Sequence, residues 1–100
     1  MPVERDEYRL MARTEETHWW YAATRESLRD LLEPHLTPGG RFLDAGGGTG
    51  ATGSWLVEHG SLVVTDFLPD ALSVNRELHP RTESFVAADL GRLPFADGAF

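Results

Sequence analysis

Residues 41–53 read Arg41-Phe-Leu-Asp-Ala-Gly-Gly-Gly-Thr-Gly-Ala-Thr-Gly53. A short apolar run ends in an acid, glycines cluster after it, and a segment able to form a helix follows. The pattern predicts a strand over Arg41–Ala45 and a helix from Ala51 to His59, stopped by Gly60. Gly46, Gly48 and Gly50 can take positive φ and let a ligand approach bare backbone. A strand turning this tightly into a helix aims unpaired N–H groups at whatever sits above the turn. The stretch is therefore a candidate small-molecule cradle.

Downstream of it, Leu62-Val63-Val64-Thr65 reads as a buried strand closed by Asp66. Pro69 opens a second helix through about Leu78, with Ala71, Leu72, Asn75 and Leu78 on its inner side. His79-Pro80 stops that helix. Ser84-Phe85-Val86-Ala87-Ala88 is a third strand, closed by Asp89. Short apolar strands joined by helix-length crossovers give right-handed connections and a parallel sheet in the order 3-2-1. The fold class is α/β, Rossmann-like.

Upstream, residues 1–14 are dense in charge and read as a loosely docked arm. Residues 15–36 read as one helix, with Trp20, Thr24, Leu28, Leu31 or Leu32, and His35 or Leu36 along one stripe. Thr14 or Thr17 would cap it, and Pro38-Gly39-Gly40 would end it. The division expected is an arm (1–14), a packing or lid helix (15–38) and the start of a ligand-binding domain (39–100). His18-Trp19-Trp20-Tyr21 is an unusually aromatic stretch, readable either as packing or as a lid over a ligand.

Composition narrows the field. With 41% apolar and 25% charged residues the chain is a globular, water-facing protein, and one hundred residues make one small domain. A net charge of −7 argues against nucleic acid, because phosphate binding needs clustered cations, and the nine basic residues are all Arg and scattered. No run reaches the ~18 apolar residues of a membrane span. The lack of cysteine excludes disulfides and thiolate metal sites and makes a cytoplasmic setting the expectation.

Asp44, Asp66 and Asp89 each close a predicted strand, at the sheet edge where open α/β folds bind ligands. Asp66 lies eighteen residues after Gly48, close to the ~20 expected of an acid that accepts ribose hydroxyls. Asp44 discriminates among adenosine ligands. Its charge beside the turn would repel a dinucleotide pyrophosphate but would favour an ammonium and a sulfonium. S-adenosylmethionine (SAM) carries both, and its carboxylate could meet the helix start. Because Gly48-Thr-Gly50-Ala-Thr-Gly53 also spells Gly-x-Gly-x-x-Gly, an NAD(P)-dependent oxidoreductase is the first alternative. A non-catalytic binding or pairing module using the open sheet edge is the second.

Asp44-Ala-Gly-Gly-Gly-Thr-Gly50 resembles the first motif of the class I SAM-dependent methyltransferases, Asp/Glu-x-Gly-x-Gly-x-Gly. Val64-Thr-Asp66 with Leu68-Pro-Asp70-Ala71 is similar to their second-strand motif. Ala88-Asp89-Leu90 and Leu93-Pro94-Phe95-Ala96-Asp97-Gly98-Ala99-Phe100 are similar to the third-strand motif and the approach to a fourth strand. The subgroup resembled is the ubiquinone-biosynthesis-like set of small-molecule methyltransferases, many of which share the His18-Trp19-Trp20-Tyr21 helix. The resemblance covers residues 15–100.

It implies a cofactor site in which Asp44, Ala45, Gly46, Gly47, Gly48 and Gly50 hold the methionyl end of SAM. Asp66 would accept the ribose hydroxyls, with Phe67 or Leu68 against the adenine. Asp89 would bond the adenine amino group, with the Leu90 amide at the ring, and Trp20 or Tyr21 would close over the cofactor. The product would be S-adenosylhomocysteine (SAH) and the acceptor a small molecule; no catalytic base or metal ligand is named. Gly47 stands where the family often has cysteine, which should widen the turn's freedom. The resemblance also implies further strands beyond Phe100, so the chain reads as the N-terminal part of a longer domain. Strand one would be left as an open edge through which two copies could pair.

Overall fold

The run Leu62-Val63-Val64-Thr65 is buried on both faces, each residue at 4% exposure or less, and it makes the central strand. In a computed structural model, which describes residues 5–100, strands β1 (Gly40–Ala45), β2 (Gly60–Asp66) and β3 (Ser84–Ala87) form one sheet in the order β1-β2-β3. Both pairings are parallel, with Asp44 opposite Val64 and Asp66 opposite Ala87. This is the α/β architecture and 3-2-1 order expected. The crossover helix over Pro69–Leu78 also has its expected bounds, with Pro69 in its first turn and Ala71, Leu72, Val74 and Asn75 buried.

The N-terminal region differs from its reading. One helix was expected over 15–36, preceded by a loose arm; two helices form instead. We number them α1 (Arg5–Thr17) and α2 (Trp19–Leu32), and the crossover helix α3. The part of the arm before Arg5 lies outside the described residues. Within α1, Tyr8 and Ala12 are one helical turn apart and join Ala71 and Val74 in a buried cluster. Arg9 pairs with Glu77 at 2.9 Å and Arg5 with Asp70 at 3.3 Å, fastening the helix along α3. Charge density thus marked a docked helix with a narrow apolar seam.

The break falls at His18, which is extended (φ −74°, ψ 131°) and whose Nδ1 accepts the Trp20 N–H. Thr14 and Thr17, expected as caps, bond back to the carbonyls of Leu10 and Arg13 within α1. Arg25 donates to the carbonyls of Glu15 and Glu16, satisfying groups that the end of α1 leaves open. Pro34 closes α2 earlier than expected: it lacks an N–H and sits in a 3-10 turn, Glu33–His35.

A second correction concerns the segment after the glycine turn. Instead of an α-helix over 51–59, a 3-10 turn covers Ser54–Glu58. Leu56 N–H donates to Gly53 O and His59 N–H to Leu56 O, the tighter three-residue spacing. Gly50 and Gly53 disfavour a regular helix start here. Leu56 and Val57 still pack on Leu62, Val64 and Leu72. Trp55 stacks edge-on to His59 and lies under the Arg29 guanidinium, which also pairs with Glu58 and so ties α2 to this turn.

Tyr8→Ala removes the principal apolar contact of α1. Urea unfolding is expected to show a loss of about 3 kcal/mol, as for other buried aromatic truncations. A change below experimental scatter would mean that α1 is not docked.

Candidate functional site

The three acids do gather at the carboxyl edge of the sheet, though in unequal settings. Asp44 precedes the last residue of β1, Asp66 ends β2, and Asp89 follows β3 by two residues. Asp44 turns its carboxylate under the glycine turn. Oδ2 is buried and has no hydrogen-bond partner among the described residues. Desolvation, then the nearby Asp66 charge, hold this carboxyl above its ordinary pKa of 3.8. An unpaired, buried carboxylate oxygen is costly to fold around, on the order of 1–3 kcal/mol.

Two glycines make room for it. A Cβ on Gly47 would fall 2.8 Å from Asp44 Oδ2 and 2.5 Å from Val64 Cγ1, and one on Gly53 would strike the same carboxylate. A side chain at Gly47 would therefore oblige the Asp44 and Val64 side chains to shift. Positive φ is found at Gly46, Gly48 and Gly50 (79°, 53° and 90°), as the sequence pattern anticipates.

The backbone amides behave differently from the simple cradle. Gly46 and Gly47 N–H both donate to the Thr65 carbonyl, at 2.8 and 3.1 Å, and Gly50 N–H donates to Gly47 O at 3.0 Å. Gly48 N–H donates to Asp66 Oδ2 at 3.0 Å. The amides of all four glycines are thus paired within the chain. Space at Gly48 is nonetheless open, since a Cβ there would meet nothing closer than Asp66 Oδ2 at 4.0 Å.

Asp66 also accepts the Leu68 N–H on Oδ1 at 2.9 Å. Each of its oxygens is oriented by one amide and keeps acceptor capacity for a further donor. Asp89 accepts the Gly91 N–H in the same two-residue manner and is exposed. Phe67, Leu68 and Leu90 remain exposed around these strand tips, and Leu90 Cδ1 lies 3.3 Å from where a Gly46 Cβ would stand. Ala45 is the exposed last residue of β1. Carboxylates between apolar side chains suit a ligand with hydroxyls, a cation and a flat ring.

The aromatic stretch stands apart from the acids in its contacts. Trp20 and Tyr21 meet edge to face at 5.0 Å, and His18 stacks on Trp19 at 5.8 Å. Trp19 and Trp20 are 72% and 52% exposed. The Thr49 hydroxyl donates to Glu15 at 3.2 Å, joining the glycine turn to the end of α1 and so to the start of α2.

Three residues at the turn escaped the sequence reading. Asn75, taken as helix packing, donates from Nδ2 to Gly48 O at 3.0 Å. His79, expected only to stop α3, places Cδ2 2.6 Å from where a Gly50 Cβ would be. Burial lowers its pKa against the opposing influence of the Thr49 backbone and Glu16. Thr49 itself is 4% exposed. A polar residue on the inner side of a helix was the available signal for Asn75. A cavity of about 220 Å³ lies on this helical side of the turn, lined by Glu16, Arg25, Thr49, Ser54 and His79 among others. Among the described residues no cluster of potential metal ligands occurs, and no helix is long and apolar enough to cross a membrane.

The family profile described as "Methyltransferase domain" matches residues 43–100. Demethylmenaquinone methyltransferase of Beutenbergia cavernae is 38% identical over 82 residues, covering 81% of this chain and 31% of that protein. The chain thus spans about a third of that relative's length. Among solved structures, a chain from the complex of the Haloferax volcanii Trm112 methyltransferase activator with a methyltransferase aligns at TM-score 0.64 and 23% identity. That match covers 95% of this chain and 43% of the other. A TehB-like SAM-dependent methyltransferase from Corynebacterium glutamicum aligns at 0.58 and 23% identity (81% and 46%). The Haemonchus contortus phosphoethanolamine N-methyltransferase 1, in complex with phosphoethanolamine and SAH, aligns at 0.51 and 22% identity (85% and 21%). The structural matches share the fold, and the profile match extends from within β1 through the glycine turn, β2 and β3 to Phe100. The chain belongs to the class I SAM-dependent methyltransferase domain family.

Proposed function

We propose that this chain is the cofactor-binding portion of an enzyme that moves a methyl group from SAM to a small-molecule acceptor. The observation that carries the reading is the buried, unpartnered Asp44 oxygen beneath the glycine turn. Such an oxygen is relieved by a cation, and the ammonium of the methionyl group has the required charge. The cofactor supplies the chemistry, an electrophilic methyl on a sulfonium, and the protein supplies position and exclusion of water.

In this reading Asp44, with the backbone from Ala45 to Gly50, holds the methionyl end. Asp66 accepts the ribose hydroxyls in the orientation set by Gly48 and Leu68. Phe67, Leu68 and Leu90 flank the adenine, and Asp89 accepts its amino group. Trp20 and Tyr21, at the start of α2, close over the bound cofactor. With the amides at Gly46, Gly47, Gly48 and Gly50 paired, the turn offers a pyrophosphate no free donor from these glycines, and the buried Asp44 carboxylate beside it favours a cation over a phosphate. Given its relative, demethylmenaquinone is the first acceptor to assay. The free side of β1 adds the expectation that two copies pair; a monomer by sedimentation would remove it.

Calorimetric titration is expected to show SAH binding, with NAD giving no heat. Asp66→Ala should weaken SAH by roughly 1.5–3 kcal/mol, the worth of hydrogen bonds to a charged group. The reverse preference, NAD over SAH, would overturn the reading.

Asp44→Asn should have opposite effects on stability and binding. Since the fold raises this carboxyl's pKa, the unfolded chain releases the proton first as pH rises, and stability falls through the interval above 3.8. The Asn variant should therefore melt higher than the parent at pH 7, and the gain should vanish below pH 3.8. Its SAH affinity should be lower at pH 7. In the parent, affinity should decline with acidification as Asp44 takes up its proton. An Asn variant that bound SAH as well as the parent would end the ammonium assignment.

A further inference from the structure

Gly48 is held on both sides by side chains, through its N–H in the peptide from Gly47 and its carbonyl in the peptide to Thr49. Asp66 Oδ2 receives its N–H at 3.0 Å, and Asn75 Nδ2 donates to its carbonyl at 3.0 Å. Asn75 comes from the second turn of α3 and is fully buried. Its own oxygen has no partner among the described residues and faces Gly50, where a Cβ would stand 2.6 Å away. An aliphatic side chain would fill that volume and remove the unpaired Asn75 oxygen. What it would lack is a donor for Gly48. Polar groups retained in a core at such a cost are expected where geometry matters to function.

From this we infer that Asn75 is a positioning residue for the cofactor site, acting through Gly48 on Asp66. By holding the Gly48 carbonyl it sets the Gly48–Thr49 peptide plane and so restricts ψ of Gly48, which keeps the turn in the conformation that presents the N–H of the preceding peptide plane to Asp66 Oδ2. The ribose-binding carboxylate is thereby set from α3, an element that need not touch the ligand. Gly50 is part of the same device, because only a residue without Cβ lets the turn come down onto Asn75 and His79. The inference rests on the cofactor reading above for its ligand, while the Asn75–Gly48 contact itself does not.

Three variants of the whole chain separate positioning from packing. Asn75→Ala removes the donor, and Asn75→Leu removes it while keeping the volume filled, so that at least one folded variant is available. Val74→Ala, on the same helix and equally buried, removes packing alone. Both Asn75 variants are expected to weaken SAH about fivefold to tenfold, as for the loss of one hydrogen bond. They should also speed exchange of the Gly48 amide proton, read by NMR, severalfold relative to Val74→Ala. Val74→Ala should lower the melting temperature and leave SAH affinity within twofold. Unchanged SAH affinity in a folded Asn75 variant overturns the proposal. If the unsubstituted chain binds no SAH, the cofactor reading fails instead. Gly48 exchange then decides separately whether Asn75 fixes the turn: faster exchange upholds that role and unchanged exchange overturns it.

Discussion

The Thr65 carbonyl accepts two amides, from Gly46 and from Gly47, and the geometry of the site follows from that double contact. It folds the chain leaving β1 back over the end of β2, so that the glycine turn lies across both strands. The contact is available because β1 and β2 pair in parallel with Ala45 opposite Thr65. A shift of register by one residue would send Asp44 to the other face of the sheet. Under the register observed, Asp44 and Asp66 stand near enough that one charge raises the other's pKa.

Closing the turn this way uses up its donors. The Gly-rich loop is often pictured as a ring of free N–H groups awaiting an anion; here those groups are consumed by Thr65, Asp66 and Gly47. What the loop leaves over is acceptor capacity, in Asp44 above all. The electrostatic character of the site is therefore negative, which suits the cation and hydroxyls of the cofactor proposed for it. Around the turn three buried polar atoms have no partner among the described residues: Asp44 Oδ2, Thr65 Oγ1 and Asn75 Oδ1.

The N-terminal helices serve this site from the side. Through Tyr8, Ala12 and its ion pairs, α1 is fastened to α3, and through Glu15 it reaches Thr49 in the turn. By contrast, α2 keeps every residue at least partly exposed and is held by Arg25 and Arg29. A helix attached by two arginines and bearing exposed tryptophans is poised differently from one set into the core. Its local stability should lie at the lower end of the molecule's range.

Much of this was legible in the residues alone. Apolar runs closed by Asp44, Asp66 and Asp89, with Pro69 and His79-Pro80 as punctuation, determined the strands, the crossover α3 and the parallel order, because period and turn chemistry are local properties. The helix break at His18 was not legible, since it depends on Nδ1 capping Trp20 and on Arg25 reaching back to the end of α1. Nor was the 3-10 turn after Gly53, which forms where the chain must clear the Asp44 carboxylate. The roles of Asn75 and His79 belong to the same class. Their spacing on α3 is ordinary, and only the descent of the glycine turn onto that helix gives them partners. Sequence by itself determined which elements form and which charges stand at their ends. Tertiary structure decided which of those charges are paired, because pairing depends on groups distant in the chain and on how much water the fold excludes between them.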